Sequence, residues 1–110
     1  PHRRYRLTRR TYGWVHKYIF PGGLIPSPEA LDRAVRTGSG LRVDAVSEIG
    51  PFYATTLQMW RERFMARADD VTELGFDGTF RRMWEFYLAY CEAGFATGAL
   101  GNVQLRLARQ

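Results

Sequence analysis

An α/β fold, mostly helical and carrying two strands that read as edges of a larger sheet, is what this sequence predicts. Three observations lead there. Most apolar residues recur three or four positions apart, which is helical spacing, and only two stretches, starting at Leu41 and Val103, alternate with period two. An isolated strand pair is marginal in water, so the two strands call for sheet partners encoded upstream. The chain has 110 residues, about one domain's worth, and is 45% hydrophobic and 15% aromatic. That is too rich in core-forming residues for intrinsic disorder. It begins with Pro1 rather than Met and reads as part of something longer.

From Leu7 to Phe20 the residues Tyr12, Val15, Ile19 and Trp14, Tyr18 keep helical spacing on a basic background, which predicts one helix. Pro21-Gly22-Gly23 ends it. The run Phe20-Pro21-Gly22-Gly23-Leu24-Ile25-Pro26 is apolar yet cannot be regular, because two prolines and two glycines deny it a hydrogen-bond ladder. Ser27 is a good N-cap, with Pro28 at the first helical position and Glu29 suiting the helix dipole, and the helix should run to about Arg36. Thr37-Gly38-Ser39-Gly40 turns the chain into the first strand, where Leu41, Val43, Ala45 and Ser47 alternate with Arg42, Asp44, Val46 and Glu48.

Gly50-Pro51 starts a long helix that places Leu57, Trp60, Phe64, Ala68 and Val71 on one stripe, with Arg61, Glu62, Arg63, Arg67, Asp69 and Asp70 mostly supplying the wet side, and Gly75 closes it. Asp77 or Thr79 caps the next helix, about Phe80 to Ala96, which is apolar nearly all round and should therefore be buried or line a cavity. Gly98 and Gly101 precede the second strand, Val103 to Leu107.

Charge is concentrated at the start. Arg3, Arg4, Arg6, Arg9 and Arg10 occur in the first ten positions without an acid, which equals the whole formal net charge of +5. Such a cluster suits anionic lipid headgroups or nucleic acid, but the aromatic residues lie in helical stripes rather than among the arginines, so no base-stacking platform is formed and nucleic acid is not the expected partner. The single Cys91 excludes an intramolecular disulfide framework and an all-cysteine zinc site, and it sits in an apolar stretch as an inert thiol would. No apolar run approaches the ~18 residues of a membrane span, and no secretory pattern follows the basic start, which makes a cytoplasmic address the expectation. There is no phosphate loop, CxxC, HExxH or Ser-His-Asp spacing, and His2 and His16 are isolated, so no metal site is expected. Tyr53 lies in the first turn of the long helix, one turn before Leu57. Tyr87, Cys91 and Phe95 share a helical stripe, which fits either helix packing or the wall of an apolar tunnel.

Three segments, Lys17-Tyr18-Ile19-Phe20-Pro21-Gly22-Gly23-Leu24-Ile25-Pro26-Ser27, the block from Tyr53 to Phe64, and the block from Arg82 to Cys91, resemble the C-terminal part of cyclopropane-fatty-acyl-phospholipid synthases. The mycolic acid cyclopropane synthases are relatives with similar motifs. The resemblance runs from about Tyr12 to the end and keeps the order and spacing of the three blocks. It implies a C-terminal piece of a class I, Rossmann-like methyltransferase fold, with positions 1–110 as the substrate-side portion of the domain and the half that binds S-adenosylmethionine lying upstream.

In that family a methyl group passes from S-adenosylmethionine to a cis double bond of a phospholipid acyl chain, and the resulting carbocation loses a proton as the ring closes. A bicarbonate ion is held in the site, and Tyr53 matches the family tyrosine that helps hold it, since Thr56-Leu57 follows at the family spacing. The family's acyl tunnel carries over to Phe20, Gly22, Ile25, Leu31, Leu57, Tyr87, Cys91 and Phe95. A carbocation needs a dry pocket with π faces and one positioned base, which this residue set would suit. Relatives that make methyl-branched or methylene products remain alternatives, as does a non-catalytic lipid-binding remnant. The resemblance further implies peripheral placement at the inner face of the membrane, allows a homodimer of the full-length enzyme, and makes the arginine-rich start a lead-in from a sheet strand.

Overall fold

The computed structural model describes residues 2–110. Along the chain the elements are α1 (His2–Thr8), α2 (Trp14–Tyr18), α3 (Pro28–Gly38), β1 (Leu41–Glu48), α4 (Gly50–Ala66), α5 (Ala68–Glu73), α6 (Gly78–Ala96) and β2 (Val103–Arg109). They fall into two compact units, one of residues up to Val46 together with Leu105–Gln110, the other Ser47–Gln104.

In the first unit the helix expected from Leu7 to Phe20 is two short helices. Gly13 is extended (φ −92°, ψ 173°) and opens α2, its N–H donating to His16 Nδ1 at 3.2 Å. Glycine carries the largest backbone entropy cost in a helix interior, so the apolar spacing across it does not sustain one rod. The arginine-rich start, expected as the lead-in from a sheet strand, is itself helical as α1. Phe20 to Ser27 is irregular as expected, with Gly22 at φ +78°, a left-handed conformation that favours glycine.

Ser27 caps α3 as its position predicted. It is 4% exposed, its Oγ accepts from the Ala30 N–H at 3.2 Å, and it shares a 2.7 Å hydrogen bond with His2 Nδ1. One hydroxyl thus caps α3 and ties α1 to it. Ser27→Ala is expected to cost about 1 kcal/mol of stability, readable as a lowered denaturation midpoint; an unchanged midpoint would show that neither bond contributes.

β1 pairs with β2, antiparallel. In the first unit the Gln110 N–H donates to the Gly40 carbonyl at 3.0 Å, and Arg106 bonds Asp44 across the ladder at 2.8 Å. Leu41, Val43 and Ala45 are half-buried while Arg42 and Asp44 are exposed, so the period-two pattern set the strand's faces.

The second unit is built on α4 against α6. Leu57 and Leu88, 5% and 7% exposed, are the buried apolar side chains among the described residues. Arg61, which the sequence places on the wet side, reaches from α4 to Glu92 of α6 at 3.0 Å, both half-buried. Gly50 is buried where α4 begins, and a Cβ there would stand 3.1 Å from the Asn102 backbone nitrogen, so the close approach favours glycine.

Three expectations about the second unit are corrected here. The long helix after Gly50-Pro51 ends at Ala66, and Ala68 and Val71 belong to α5. Arg67 bonds Asp70, and Asp69 and Asp70 occupy the first turn of α5, where free N–H groups attract negative charge. Trp60 is exposed rather than part of the buried stripe, and α6 is not enclosed: Phe86 and Tyr90 are exposed on its far side. Its start is as predicted, since Asp77 accepts from the Phe80 N–H at 2.8 Å.

Candidate functional site

The residues singled out from the sequence form two sets. Phe20, Gly22, Ile25 and Leu31 lie in the first unit, where the first three are exposed on the irregular loop and Leu31 is half-buried in α3. Tyr53, Leu57, Tyr87, Cys91 and Phe95 lie in the second, on α4 and α6.

The structure brings the second set together. Gly50-Pro51 starts α4 with proline in its first turn, where the missing N–H is harmless, and this places Tyr53 one turn before the buried Leu57. Phe95 lies two turns beyond Tyr87, and its ring meets that of Tyr53 at 5.3 Å, tilted by 40°. Tyr87 packs edge-on against Trp84 at 5.5 Å, a contact favoured by the ring quadrupoles. Phe76 and Phe80 stack at 4.2 Å near the other end of α6. The result is an aromatic face holding two phenols, a thiol and little charge.

Tyr87 and Cys91 stand one turn apart on α6, close enough for the phenol to act on the thiol as a hydrogen-bond donor. Burial pushes the Tyr87 phenol up to about 12, with the bond to Cys91 and its charge adding in the same direction. Burial likewise pushes the Cys91 thiol above its ordinary value, partly offset by the Tyr87 donor. Each group is held neutral at physiological pH, so this part of the face stays uncharged.

A raised phenol pKa means the folded state keeps a proton that the unfolded chain loses. The stability it contributes is therefore full below about pH 10 and is lost as pH rises towards about 12. Tyr87→Phe should flatten the alkaline fall in stability over that window. An identical fall in the variant would remove Tyr87 from the effect.

Among the described residues no group of three His, Cys, Asp or Glu side chains could hold a metal ion. Among the described residues the sheet is two antiparallel strands, and no strand, glycine loop and helix of the kind that cradles a nucleotide is present. Tyr53 supplies a single hydroxyl, and one hydroxyl does not by itself form a cage for a bicarbonate ion. Spacing could not have revealed the Arg61–Glu92 pair or the Tyr53–Phe95 contact, because both join residues more than 30 positions apart.

Comparison with known proteins decides the family, since the family model described as mycolic acid cyclopropane synthetase matches residues 1–105. The chain belongs to this family. Over all 110 residues it is 51% identical to a tuberculostearic acid methyltransferase of Mycobacterium tuberculosis, covering 26% of that protein. Over 82 residues it is 33% identical to the cyclopropane-fatty-acyl-phospholipid synthase of Escherichia coli, covering 21% of it. The chain therefore spans about a quarter of the length of these family members. It also superposes over its whole length on 41% of the solved chain of the mycolic acid cyclopropane synthase CmaA1, a structure complexed with SAH and CTAB, at a TM-score of 0.80 and 22% identity. That likeness shows the fold expected for the family, present here as a mostly helical piece with a two-stranded antiparallel sheet.

Proposed function

We propose that the protein carrying this chain is a lipid methyltransferase that transfers the methyl group of S-adenosylmethionine to the cis double bond of an unsaturated phospholipid acyl chain, and that residues 1–110 are its substrate side. The observation that carries the reading is the 51% identity to a tuberculostearic acid methyltransferase over the entire chain. It also favours a methyl-branched or methylene product over the cyclopropane that the motif resemblance first suggests, since identity to the cyclopropane synthase is 33% over a shorter stretch.

In this reading Leu57, Tyr87, Cys91 and Phe95, on the α4/α6 face, are the acyl-chain residues of the second unit, and Phe20, Gly22, Ile25 and Leu31, on the loop and α3, are those of the first. An apolar wall excludes water, which would otherwise capture a carbocation, and ring faces stabilise positive charge beside them. Tyr53 helps hold a bicarbonate ion that accepts the departing proton. The placement is peripheral, at the inner face of the membrane; no helix among the described residues is long and apolar enough to cross it.

The test is methyl transfer from S-adenosylmethionine to vesicles of unsaturated phospholipid by the protein from the complete reading frame. Proton NMR of the product separates cyclopropyl from methyl-branched and methylene chains. Vesicle binding without any methylated lipid would reduce the protein to a lipid-binding role.

A further inference from the structure

The charge of the molecule is divided by unit in a way that linear sequence does not display. The unit containing α1 and α3 carries eleven basic against three acidic side chains, a formal +8, while Ser47–Gln104 carries five against eight, a formal −3. The three acids of the positive unit are already engaged. Asp32 pairs with Arg36 at 2.9 Å, Asp44 with Arg106 at 2.8 Å, and Glu29 faces His2 at 3.8 Å.

Within this unit α1 packs against α3, and a groove of about 460 Å³ runs between them. One wall is His2, Tyr5, Arg6 and Arg9, and the other is Ala30, Arg33, Ala34 and Thr37. Both sets follow the spacing i, i+3, i+4, i+7, so each is one continuous helix face. Arg9 keeps that register because its N–H donates to the Tyr5 carbonyl at 3.0 Å. Ordinary helix pairs close such faces with apolar side chains. Here three guanidinium groups share the groove, and among the described residues none of the three has an acidic partner. The two alanines leave room between the walls. Like charges on facing helices repel unless an anion lies between them, and planar guanidinium groups bind phosphate oxygens in a bidentate fork.

We propose that this groove is a phosphate-binding subsite that takes the headgroup phosphate of an anionic phospholipid, with Arg6, Arg9 and Arg33 as its ligands. The choice of a lipid phosphate rests on the lipid methyltransferase reading above; the affinity for phosphate does not. The irregular loop, which exposes Phe20, Leu24 and Ile25, ends at Ser27, and the Ser27 bond to His2 ties that loop to the rim of the groove. Apolar side chains and a phosphate cradle are thus joined in one unit, as a surface that meets both acyl chains and headgroups requires.

The test compares two double variants of the protein from the complete reading frame, each removing two positive charges. Arg6→Gln with Arg33→Gln empties the groove, whereas Arg3→Gln with Arg10→Gln removes arginines that do not line it. Binding to vesicles of phosphatidylglycerol in phosphatidylcholine, at low salt, should weaken about tenfold more in the first variant than in the second. Arg6→Lys with Arg33→Lys, which keeps the charge and guards against a folding defect, should also bind more weakly than the control because the fork is lost. Equal losses in the two Gln variants would make the attraction a diffuse field and overturn the site.

Two further arms identify the source of the phosphate. Inorganic phosphate that raises the melting temperature through these arginines, with vesicle binding insensitive to them, would overturn the lipid assignment. So would tighter, arginine-dependent binding of a short DNA duplex. Groove-dependent vesicle binding in a protein that methylates no lipid would sink the methyltransferase reading and leave the subsite standing.

Discussion

Leu57→Ala is expected to cost about 3 kcal/mol of stability, roughly a hundredfold in the folded-to-unfolded ratio. Leu57 is 5% exposed in the α4/α6 contact, and the other buried apolar side chain among the described residues, Leu88, lies on the facing helix. Removing one leucine takes buried apolar contact from this helix pair, and the cavity left behind adds to the loss. Leu74→Ala provides the contrast. Leu74 is 75% exposed, and its replacement should stay within about 0.5 kcal/mol. Urea unfolding of the two variants of the complete protein measures the difference. Similar losses at both positions would mean that α4 and α6 are not held by this contact.

Tyr53→Phe is expected to lower turnover about a hundredfold in the complete protein while leaving lipid binding and stability nearly unchanged. The substitution keeps the ring, and with it the 5.3 Å contact to Phe95, so packing in the first turn of α4 is preserved. Only the hydroxyl is removed, the one group at this position able to orient a small anion. The assay measures methyl transfer at saturating lipid alongside vesicle binding. A parallel loss in both would return Tyr53 to packing, and unchanged turnover would remove it from the chemistry.

Local signals in this sequence were read with good resolution. Ser27 and Asp77 cap helices because their short oxygens reach backbone N–H groups within three residues, a geometry that depends on nothing distant. The turn before Leu41 and the alternation that follows were likewise legible. The breaks at Gly13 and Arg67 were missed because apolar spacing continues through both positions, while the signals against continuity are a single glycine and a pair of aspartates. The motif blocks pointed to the family through Tyr53, the Phe-Pro-Gly-Gly loop and the Tyr87–Cys91 segment. Composition and spacing alone left Tyr87 and Cys91 between packing and a tunnel.

The sequence by itself determined the family, the succession of helical and strand segments, and which side chains are apolar, basic or able to cap. Tertiary structure decided what those side chains meet. Arg61 was one more wet-side arginine until α6 placed Glu92 3.0 Å away, and the stripe on α6 was apolar all round until packing on α4 left Phe86 and Tyr90 exposed. Beyond the first ten residues the chain is formally neutral, yet those residues divide into +3 in one folded unit and −3 in the other. Charge along a sequence adds without regard to position, whereas Coulomb interactions act through distance, and only folding sets which arginines share a groove and which find an acid.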